Sequence, residues 1–420
     1  MMGFIEAWRL DELVNAGRLE LGRGDIISKE DIEKNPGAYP IYSSSAKGEG
    51  KFGEYGNFMF NEELVTWSVD GGGNFFYRNK HKYSVTNVCG FMRVKDSALD
   101  CRFLFFSLVQ QHRYFSFDYT TKAHPSVIKK MYHVPKFSYG KQKKIATILS
   151  TIDSAIEHTE ALIEKYQNVK TGLMQDLFTR GLLPNGQLRP PREQAPELYQ
   201  KTDIGWIPRD WSVEKLANLT SKIVDGVHHT PSYVEHGIPF VTVRNLTFNR
   251  DIDFTRLNYI SPADHLQFSK RVLPQAGDVL VTKDGTLGVS RIVKSSHPEF
   301  SIFVSVALLR PVSSRITSSW LHYFFDANLY LKQLAYLSAG TGLKHIHLEH
   351  FRKFKVPLPA TSEQQLIHEK IVLIENYLSN ERGRLEKLSL QKLGLMQDLL
   401  TGNVPVPIDD AQEEPASTHA

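Results

Sequence analysis

The sequence predicts an α+β protein with two globular domains of mixed, mainly antiparallel β-structure and short helices. Two long antiparallel coiled-coil helices separate the domains, and the whole forms an internal pseudo-twofold repeat. Three observations predict this fold. The hexamer GLMQDL occurs at 172–177 and again at 394–399, 222 positions later. A heptad stripe of apolar residues leads into each copy. Short β-branched or aromatic runs, broken by Gly, Pro, Asn and Asp, fill the segments before the stripes.

The repeat extends beyond the hexamer, without a gap, from residue 134 to residue 178. Pairs matched at the same offset of 222 include Val134 with Val356, Gln142 with Gln364 and, further upstream, Lys122 with Lys344. The domain entries also match more loosely, Trp8 with Trp211. A constant offset over this range indicates a duplicated structural unit.

The two stripes predict helices of about 35–38 residues, hence roughly 50–57 Å long. An antiparallel register in which partner numbers add up to 551 places Lys170 opposite Glu381 and Thr159 opposite Lys392. Polar pairs of this kind can fix the register of a seam; the alternative is that these positions face solvent. The residues expected to pair the helices are Ile152, Ile156, Ile163, Tyr166, Lys170, Leu173, Leu378, Glu381, Leu385, Leu388, Lys392, Leu395 and Leu399.

These patterns divide the chain into six segments. They are a first domain at 1–140, a first long helix at 141–180, a Pro/Gly-rich linker at 181–203, a second domain at 204–361, a second long helix at 362–403 and an acidic tail at 404–420. The tail is polar and is expected to be disordered. Short helices are expected at 101–116 and 318–338.

The composition is that of a folded globular protein, with 41% hydrophobic and 23% charged residues in 420. No apolar run has the length of a membrane span, and the two cysteines are too few for a disulfide scaffold. We therefore expect a cytoplasmic protein without a membrane partner. The segment 204–361 holds 18 Lys and Arg against 12 Asp and Glu, which is compatible with a polyanionic partner.

Two related but different domains on antiparallel helices present two similar surfaces, and each surface is inverted with respect to the other. Double-stranded DNA has the same symmetry in its backbone, and half-sites about 34 Å apart match a protein two-fold. The repeat therefore favours a DNA partner.

Catalytic signatures are incomplete in this sequence. No GxxxxGK[ST] phosphate loop occurs, and the run 74–77 (NFFY) lacks the prolines of an amino-methyltransferase motif. The glycines 71–73 do not open a dinucleotide fingerprint. The spacing of His345, His347 and His350 could suit a metal, but no cysteine joins them and neighbouring cations would repel one.

A family resemblance rests on four features, namely the paired GLMQDL helices, the Val-Pro turns before them, the domain entries at 6–8 and 207–211, and the run 337–359. With these features the sequence resembles the specificity subunits of type I restriction-modification systems. The resemblance covers nearly the whole chain. It implies a non-catalytic subunit in which each domain reads one half of an asymmetric bipartite DNA site. The helices would set the spacing and recruit two methyltransferase subunits, which restriction subunits would join. S-adenosylmethionine, ATP and Mg²⁺ would be bound by those partners, and no cofactor or metal by this chain.

Polar loop residues that follow the predicted strands are the candidates to contact phosphates and base edges. In the first domain they are Ser43, Ser44, Ser45, Lys47, Trp67, Asp70, Asn74, Lys122 and His124. In the second domain they are Arg244, Asn245, Lys283, Asp284, Thr286, Lys344 and His345. For Trp67 the alternative is a core position.

Two other classes of protein stay open at this point. One is a single-chain enzyme that both recognises and modifies DNA; the other is a coiled-coil adaptor that binds only proteins. Salt-dependent binding to duplex DNA would distinguish the two DNA-binding hypotheses, a specificity subunit and a single-chain enzyme, from the protein-binding adaptor.

Overall fold

The computed structural model describes residues 6–44, 50–117, 122–338 and 345–407. The chain forms two compact units, Met1–Leu162 with Glu381–Ala420, and Ile163–Asn380. Each unit contains one globule together with part of each long helix. The boundary between the units therefore crosses both helices, and does not follow the linear order of domains and helices read from the sequence.

The first unit contains nine strands and four short helices among its described residues. The strands are β1 (Ala7–Arg9), β2 (Leu19–Arg23), β3 (Tyr39–Tyr42), β4 (Lys51–Tyr55), β5 (Leu64–Ser68), β6 (Phe75–Arg78), β7 (Ser84–Val85), β8 (Cys89–Val94) and β9 (His133–Pro135). The helices are α1 (Leu10–Asn15), α2 (Lys29–Lys34), α3 (Cys101–His112) and α4 (Pro125–Met131). The first long helix, α5 (Tyr139–Thr179), begins here.

Among the described residues, the second unit repeats the order of strands, with two additional strands at its start, and differs in its short helices. Its strands are β10 (Tyr199–Thr202), β11 (Gly205–Pro208), β12 (Ser212–Lys215), β13 (Thr220–Asp225), β14 (Ile238–Val241), β15 (Asn258–Ile260), β16 (Val279–Thr282), β17 (Ser290–Ile292), β18 (Ser301–Ile302), β19 (Val306–Pro311) and β20 (Lys355–Leu358). Its helices are a 3₁₀ turn (Pro196–Leu198), α6 (Leu216–Leu219), α7 (Val243–Thr247), α8 (Pro262–Ser269), α9 (Ser318–Asp326), α10 (Asn328–Ser338) and α11 (Leu348–Lys353). The second long helix, α12 (Thr361–Leu400), begins here.

The two globules share one sheet topology. An antiparallel sheet has the order β2-β8-β5-β6 in the first globule and β13-β19-β16-β17 in the second. A second, mixed sheet has the order β4-β3-β7 in the first globule and β15-β14-β18 in the second. In it, β3 and β7, like β14 and β18, are parallel. The α+β class with mainly antiparallel sheets is confirmed, and the repeat in the sequence is a repeat of the fold.

A glycine marks the same crossing point in both globules. A Cβ on Gly24 would lie 2.0 Å from the backbone oxygen of Val85, and a Cβ on Gly226 would lie 1.9 Å from that of Ile302. Backbone atoms cannot move aside as a flexible side chain can. Only glycine therefore lets the chain after β2 and β13 approach β7 and β18 so closely.

A buried glutamine fixes the start of each long helix. The Gln142 amide oxygen accepts from the backbone N–H of Asp100 (2.9 Å), and its nitrogen donates to the carbonyls of Ala98 and Phe137 (2.9 Å each). The equivalent partners of Gln364 are Thr317, Arg315 and Pro359, at 2.8 to 3.0 Å. Asp100 and Thr317 are the N-caps of α3 and α9. Each glutamine thus ties a long helix to the short helix of the preceding globule.

The two GLMQDL copies are core contacts. Met174 and Leu177, near the end of α5, are buried in the core of the second unit, where Phe178 stacks on Trp320 at a centroid distance of 4.2 Å. Met396 and Leu399, near the end of α12, are buried in the core of the first unit. Each long helix therefore begins beside one globule and ends in the core of the other.

The helix-pairing residues line the face that the heptads predicted, since each of the thirteen is buried or half-buried. The predicted register, however, is wrong. Lys170 Nζ lies 2.6 Å from Glu375 Oε1 in the second unit, and Lys392 Nζ lies 2.5 Å from Asp153 Oδ1 in the first. Both pairs have numbers that add up to 545, six residues away from the predicted 551.

Solvation explains why the lysines do not face the predicted partners. Glu375 and Asp153 lie beside the seam, and all four paired side chains keep 22% to 29% of their exposure. The predicted register would have placed charges face to face in the seam, where desolvation offsets their attraction. Thr159 takes the fully buried position, and its hydroxyl donates to the carbonyl of Ala155 (2.8 Å).

These ion pairs allow a test of the register. Lys170→Glu should lower the free energy of unfolding by about 0.5–1 kcal/mol, because it replaces a half-exposed attraction by repulsion from Glu375. The double variant Lys170→Glu/Glu375→Lys should recover most of that loss. Urea unfolding measures both values. The exposed Lys165→Glu on the same helix is the control; an equal loss there would mean that the pair contributes nothing specific.

The segment predicted as a linker is folded onto the second globule. It contains β10, which pairs with β11 just beyond it, and Leu182 and Tyr199 are buried. The match of Trp8 with Trp211 is also corrected. The N–H groups of Leu10 and Leu216 donate to the equivalent carbonyls of Tyr132 and Phe354, so the entries align three residues away from the sequence match.

Candidate nucleic-acid interface

The loops that follow β5 and β16 occupy the same place in the two globules. Trp67 pairs with Gly90 in the first globule, and Val281 pairs with Ala307 in the second, so these strands share one register. Asp70 and Asp284 then fall at equivalent positions, two residues after each strand. Glycines with positive φ shape both loops, among them Gly72 (76°) and Gly285 (66°).

Each of these aspartates contacts a basic side chain from the loop before α4 or α11. Lys122 Nζ lies 2.9 Å from Asp70 Oδ1, and the His345 imidazole contacts the Asp284 carboxylate. The backbone confirms the equivalence, because Ala123 N–H donates to Val69 O (3.0 Å) and Ile346 N–H donates to Lys283 O (2.8 Å). Lys122 therefore corresponds to His345, one residue beyond the sequence match; Lys344 lies outside the described residues.

A charged cluster stands behind this loop in the second globule. Lys283, only 3% exposed, places its Nζ 3.4 Å from Asp225 Oδ2 and 3.5 Å from His345 Nε2. Arg271 donates to Asp225 Oδ1 at 2.6 Å, and His228 lies 3.0 Å from the same oxygen. The side chains of Arg271 and His228 are half or more exposed. The cluster thus carries positive charge from the buried Asp225 to the surface.

The ionisation of Asp225 supports this arrangement. Burial alone would raise the pKa of its carboxyl, but hydrogen bonds from Arg271 and His228 and the charge of Lys283 hold the pKa below the usual value. A lowered pKa in the folded state stabilises the fold at neutral pH. That contribution is lost only as the pH falls through the lowered pKa.

The equivalent positions in the first globule carry different chemistry. Val69, buried, stands where the second globule has Lys283. Arg23, exposed, stands where the second has Asp225, and its Nε donates to the carbonyl of Asn87 (2.7 Å). The two globules therefore present one backbone frame with two different sets of polar groups.

Two predicted contact residues are core residues instead. Trp67 is fully buried, its Nε1 donates to Ala123 O (2.7 Å), and a Cβ on Gly90 would come within 2.3 Å of its ring. Asn245 is 4% exposed and its amide bonds Thr242, Asp253 and Arg256. A buried amide with all its bonds made inside the protein has nothing left for a base.

The other predicted residues of the first domain lie near the loop after β5. The Ser43 hydroxyl accepts from Thr86 (2.9 Å), and the Ser44 carbonyl accepts from Ser68 (2.9 Å). Asn74 is half-buried at the far end of the loop, and His124 is exposed as the N-cap of α4. Ser45 and Lys47 lie outside the described residues.

The remaining residues of the second domain are exposed. Thr286 lies in the loop after β16, and Arg244 lies in α7. The sequence missed four residues of this site. Three of them, Asp225, His228 and Arg271, join the Lys283 cluster, and Arg271 lies 46 positions from Asp225 with no local pattern to connect them. The fourth, His347, is the N-cap of α11 and corresponds to His124, the N-cap of α4. Recognising that α4 and α11 correspond in the repeat could have revealed it.

The histidines singled out in the sequence form a row. The rings of His345, His347 and His350 follow one another at 4.5 and 5.4 Å. No group of three or more His, Cys, Asp or Glu among the described residues could hold a metal ion. Likewise, none of the described helices is both long and apolar enough to cross a membrane.

Comparison with known proteins identifies a family. The profile of the type I restriction modification DNA specificity domain matches residues 5–166 and 236–390. The chain is 26% identical over 397 residues to the type I restriction enzyme MjaVIII specificity subunit of Methanocaldococcus jannaschii, across 91% of this chain and 89% of that protein. It is 24% identical over 352 residues to a putative type I specificity subunit of Mycoplasma pneumoniae, across 83% and 84% of the two chains.

A solved structure has a similar fold. The crystal structure of a type I restriction-modification system S subunit from M. genitalium superposes with a TM-score of 0.61 and 17% identity, over 94% of this chain and 96% of that chain. At this identity the likeness concerns the fold.

Proposed function

The chain belongs to the family of type I restriction modification DNA specificity domains, and from this premise we propose that it is the non-catalytic subunit that gives a type I restriction-modification complex its DNA sequence specificity. Each globule reads one half of an asymmetric bipartite site. The paired long helices set the spacing between the half-sites and recruit the methyltransferase subunits.

One observation carries this proposal. The Asp70–Lys122 contact and the Asp284–His345 contact occupy equivalent backbone positions, yet Val69 and Lys283 beside them differ completely. A protein that reads two different half-sites needs one docking geometry and two sets of polar groups, because base edges are distinguished by their donor and acceptor patterns.

The partners follow from the same proposal. The chain acts on double-stranded DNA in the cytoplasm with two methyltransferase subunits, and restriction subunits join this core. S-adenosylmethionine, ATP and Mg²⁺ belong to those partners. The relatives that support this reading are themselves named specificity subunits.

A binding experiment separates this function from the two alternatives. The chain is tested in gel shifts with specific and random duplex, with and without methyltransferase subunits, over a range of salt. The proposal expects salt-dependent, sequence-specific binding by the complex. Binding to proteins but never to DNA would favour an adaptor, and methyl transfer by the chain alone would favour a single-chain enzyme.

Removal of Lys283 tests the second half-site. Lys283→Met keeps the length of the side chain but removes its charge, so that Arg271 and His228 alone balance Asp225. Lys283 is only 3% exposed, so it acts by holding Asp225 and His345 in place and not by touching a base. Affinity of the complex for its site should fall by about 10- to 100-fold, roughly 1–3 kcal/mol, through loss of one base contact that depends on this support. Binding should become tolerant of base changes in one half-site only.

The control is Lys294→Met, which removes an exposed lysine paired with Asp251 in the same globule. It should change the affinity by less than about twofold. Because Lys283 is buried, the melting temperature of each variant is measured as well. Equal loss of discrimination in both half-sites by a folded Lys283→Met protein would contradict a local reading role.

A further inference from the structure

A cavity in the second globule lies outside the loops described above. It has a volume of about 550 Å³ and lies between the β10–β11 turn, α10 and α11. Helix α10 distinguishes this globule. Only twelve residues separate α3 from α4 in the first globule, and none of those that the structure describes is helical; twenty-one residues separate α9 from α11. The cavity therefore belongs to one half of the repeat.

Three lysines bring positive charge to the cavity. Lys332, Lys353 and Lys355 line it beside His350 and several apolar side chains, and the lining carboxylate of Asp203 is in contact with Lys355. Lys332 and Lys353 are exposed. Burial, together with the neighbouring His347, Lys353 and His345, holds the pKa of the His350 imidazole below its ordinary value. The local potential thus opposes a further cation and favours an anion.

An exposed aromatic ring stands at the same cavity. Tyr336 on α10 is 86% exposed, the largest exposed fraction among the large hydrophobic side chains that the structure describes. Packing does not require this position, because the ring contributes little to the core. Aromatic rings beside lysines are a common platform for nucleic-acid strands, since the ring stacks on a base while the ammonium groups hold the backbone.

A row of histidines links the cavity to the loop after β16. The three imidazoles of His345, His347 and His350 form a row with ring separations of 4.5 and 5.4 Å. His345 contacts Asp284 at one end of this row, and His350 lines the cavity at the other. The ring centroids of His345 and His350 are therefore at most about 10 Å apart, which is about three nucleotide steps along a strand at 3.4 Å each.

We propose that this cavity binds the DNA backbone just outside the half-site read by the second globule, with Lys332 and Lys353 on a phosphate and Tyr336 against the adjoining sugar or base. This inference rests on the proposed function. Among the residues that the structure describes between α3 and α4, the first globule has no counterpart of α10, so the footprint of the complex is longer on one side of its site. The contact adds affinity without adding sequence preference.

Duplexes of different length test the proposal. Lys332→Ala/Lys353→Ala and Tyr336→Ala are compared with wild type as complexes with methyltransferase subunits, on duplexes that extend beyond the second half-site or stop at its edge. On extended duplex the lysine variant should lose about tenfold in affinity, and the slope of log K against log salt should fall by about 2. Tyr336→Ala should lose affinity with an unchanged slope. On truncated duplex all proteins should be equal.

The control is Lys370→Ala, which removes an exposed lysine of α12 in the same unit. It should bind both duplexes as wild type does. The inference would be overturned by an equal loss of affinity on both duplexes. It would also be overturned if the variants failed to assemble with methyltransferase subunits while the salt slope stayed unchanged, and that result would assign the cavity to a protein partner. If the wild-type complex shows no specific binding, the proposed function fails. If the wild-type complex binds specifically and the cavity variants bind extended duplex equally well, only the inference about the cavity fails.

Discussion

Lengthening both long helices by four residues should abolish modification of the original site and create modification of a site with the same half-sites further apart. Four residues add about 6 Å to a helix, close to two base pairs at 3.4 Å each. The observed register fixes where the insertions belong. With partner numbers that add up to 545, an insertion after Leu162 in α5 lies opposite one after Arg382 in α12. Both ion pairs then keep their partners.

The readout is the methylated motif in DNA from cells that express the variant with its methyltransferase. We expect at least 100-fold loss at the old spacing, since a displaced half-site loses several base contacts of roughly 1–3 kcal/mol each. The control places the insertion in α5 alone, which moves Lys170 away from Glu375 by one helical turn and should prevent assembly of an active complex. A motif with altered half-site bases would refute the role of the helices as a spacer.

The helices show what a sequence pattern can predict. Apolar residues at heptad spacing indicated the buried face correctly, because burial acts on each helix separately. The register depends on which charges meet, and the pattern predicted a single register, with solvent-facing positions as the alternative. Glu381 lies on the stripe and looked like the partner of Lys170, whereas Glu375 and Asp153 lie beside it. Long lysine side chains reach such flanking positions and stay hydrated, and a heptad pattern does not contain that information.

The candidate interface was predictable to a smaller extent. Asp70 and Lys122, and Asp284 and His345, were found from their places in the repeat, and the structure brings each pair together. The repeat misplaced one pair by a residue because α4 is one residue longer than α11. Arg271 was missed because its contact with Asp225 joins α8 to β13, and only the folded chain brings these elements together.

Core roles are also hard to separate from contact roles in a loop. Trp67 and Asn245 were both plausible DNA contacts by residue type. The structure buries the first against Gly90 and uses every polar group of the second within its own globule. Trp67 requires a residue as small as glycine on the facing strand, and that requirement becomes visible only when the pairing of β5 with β8 is known.

Replacing Arg189 should have the largest effect on stability. Arg189 and Glu363 are about 5% and 10% exposed, and two bonds of 2.6 and 3.1 Å join them. Burial alone would lower the pKa of the Arg189 guanidinium, but Glu363 and Asp210 raise it above the ordinary value. Trp211 Nε1 and Leu182 N–H also donate to the Glu363 carboxylate. This pair joins the segment after α5 to the start of α12.

Arg189→Met should lower the free energy of unfolding of the second unit by about 3–5 kcal/mol, because it leaves the Glu363 charge buried without a countercharge. The double variant Arg189→Met/Glu363→Gln should recover part of this loss. Glutamine removes the charge, but its single carbonyl oxygen can accept from only one of Trp211 Nε1 and Leu182 N–H, which donate to different oxygens of Glu363. The measurement is urea unfolding, followed by fluorescence of the buried tryptophans.

A matched control distinguishes the buried charge from the loss of an arginine as such. Arg192 lies three residues further on, pairs with Glu193 and is 41% exposed, so that Arg192→Met should cost less than about 1 kcal/mol. If the double variant were as unstable as Arg189→Met, the cost would come from lost packing and from the Arg180 carbonyl that Arg189 also bonds. Recovery in the double variant would instead show that the carboxylate, once buried, makes the arginine indispensable, because a single uncompensated charge costs more than the pair contributes.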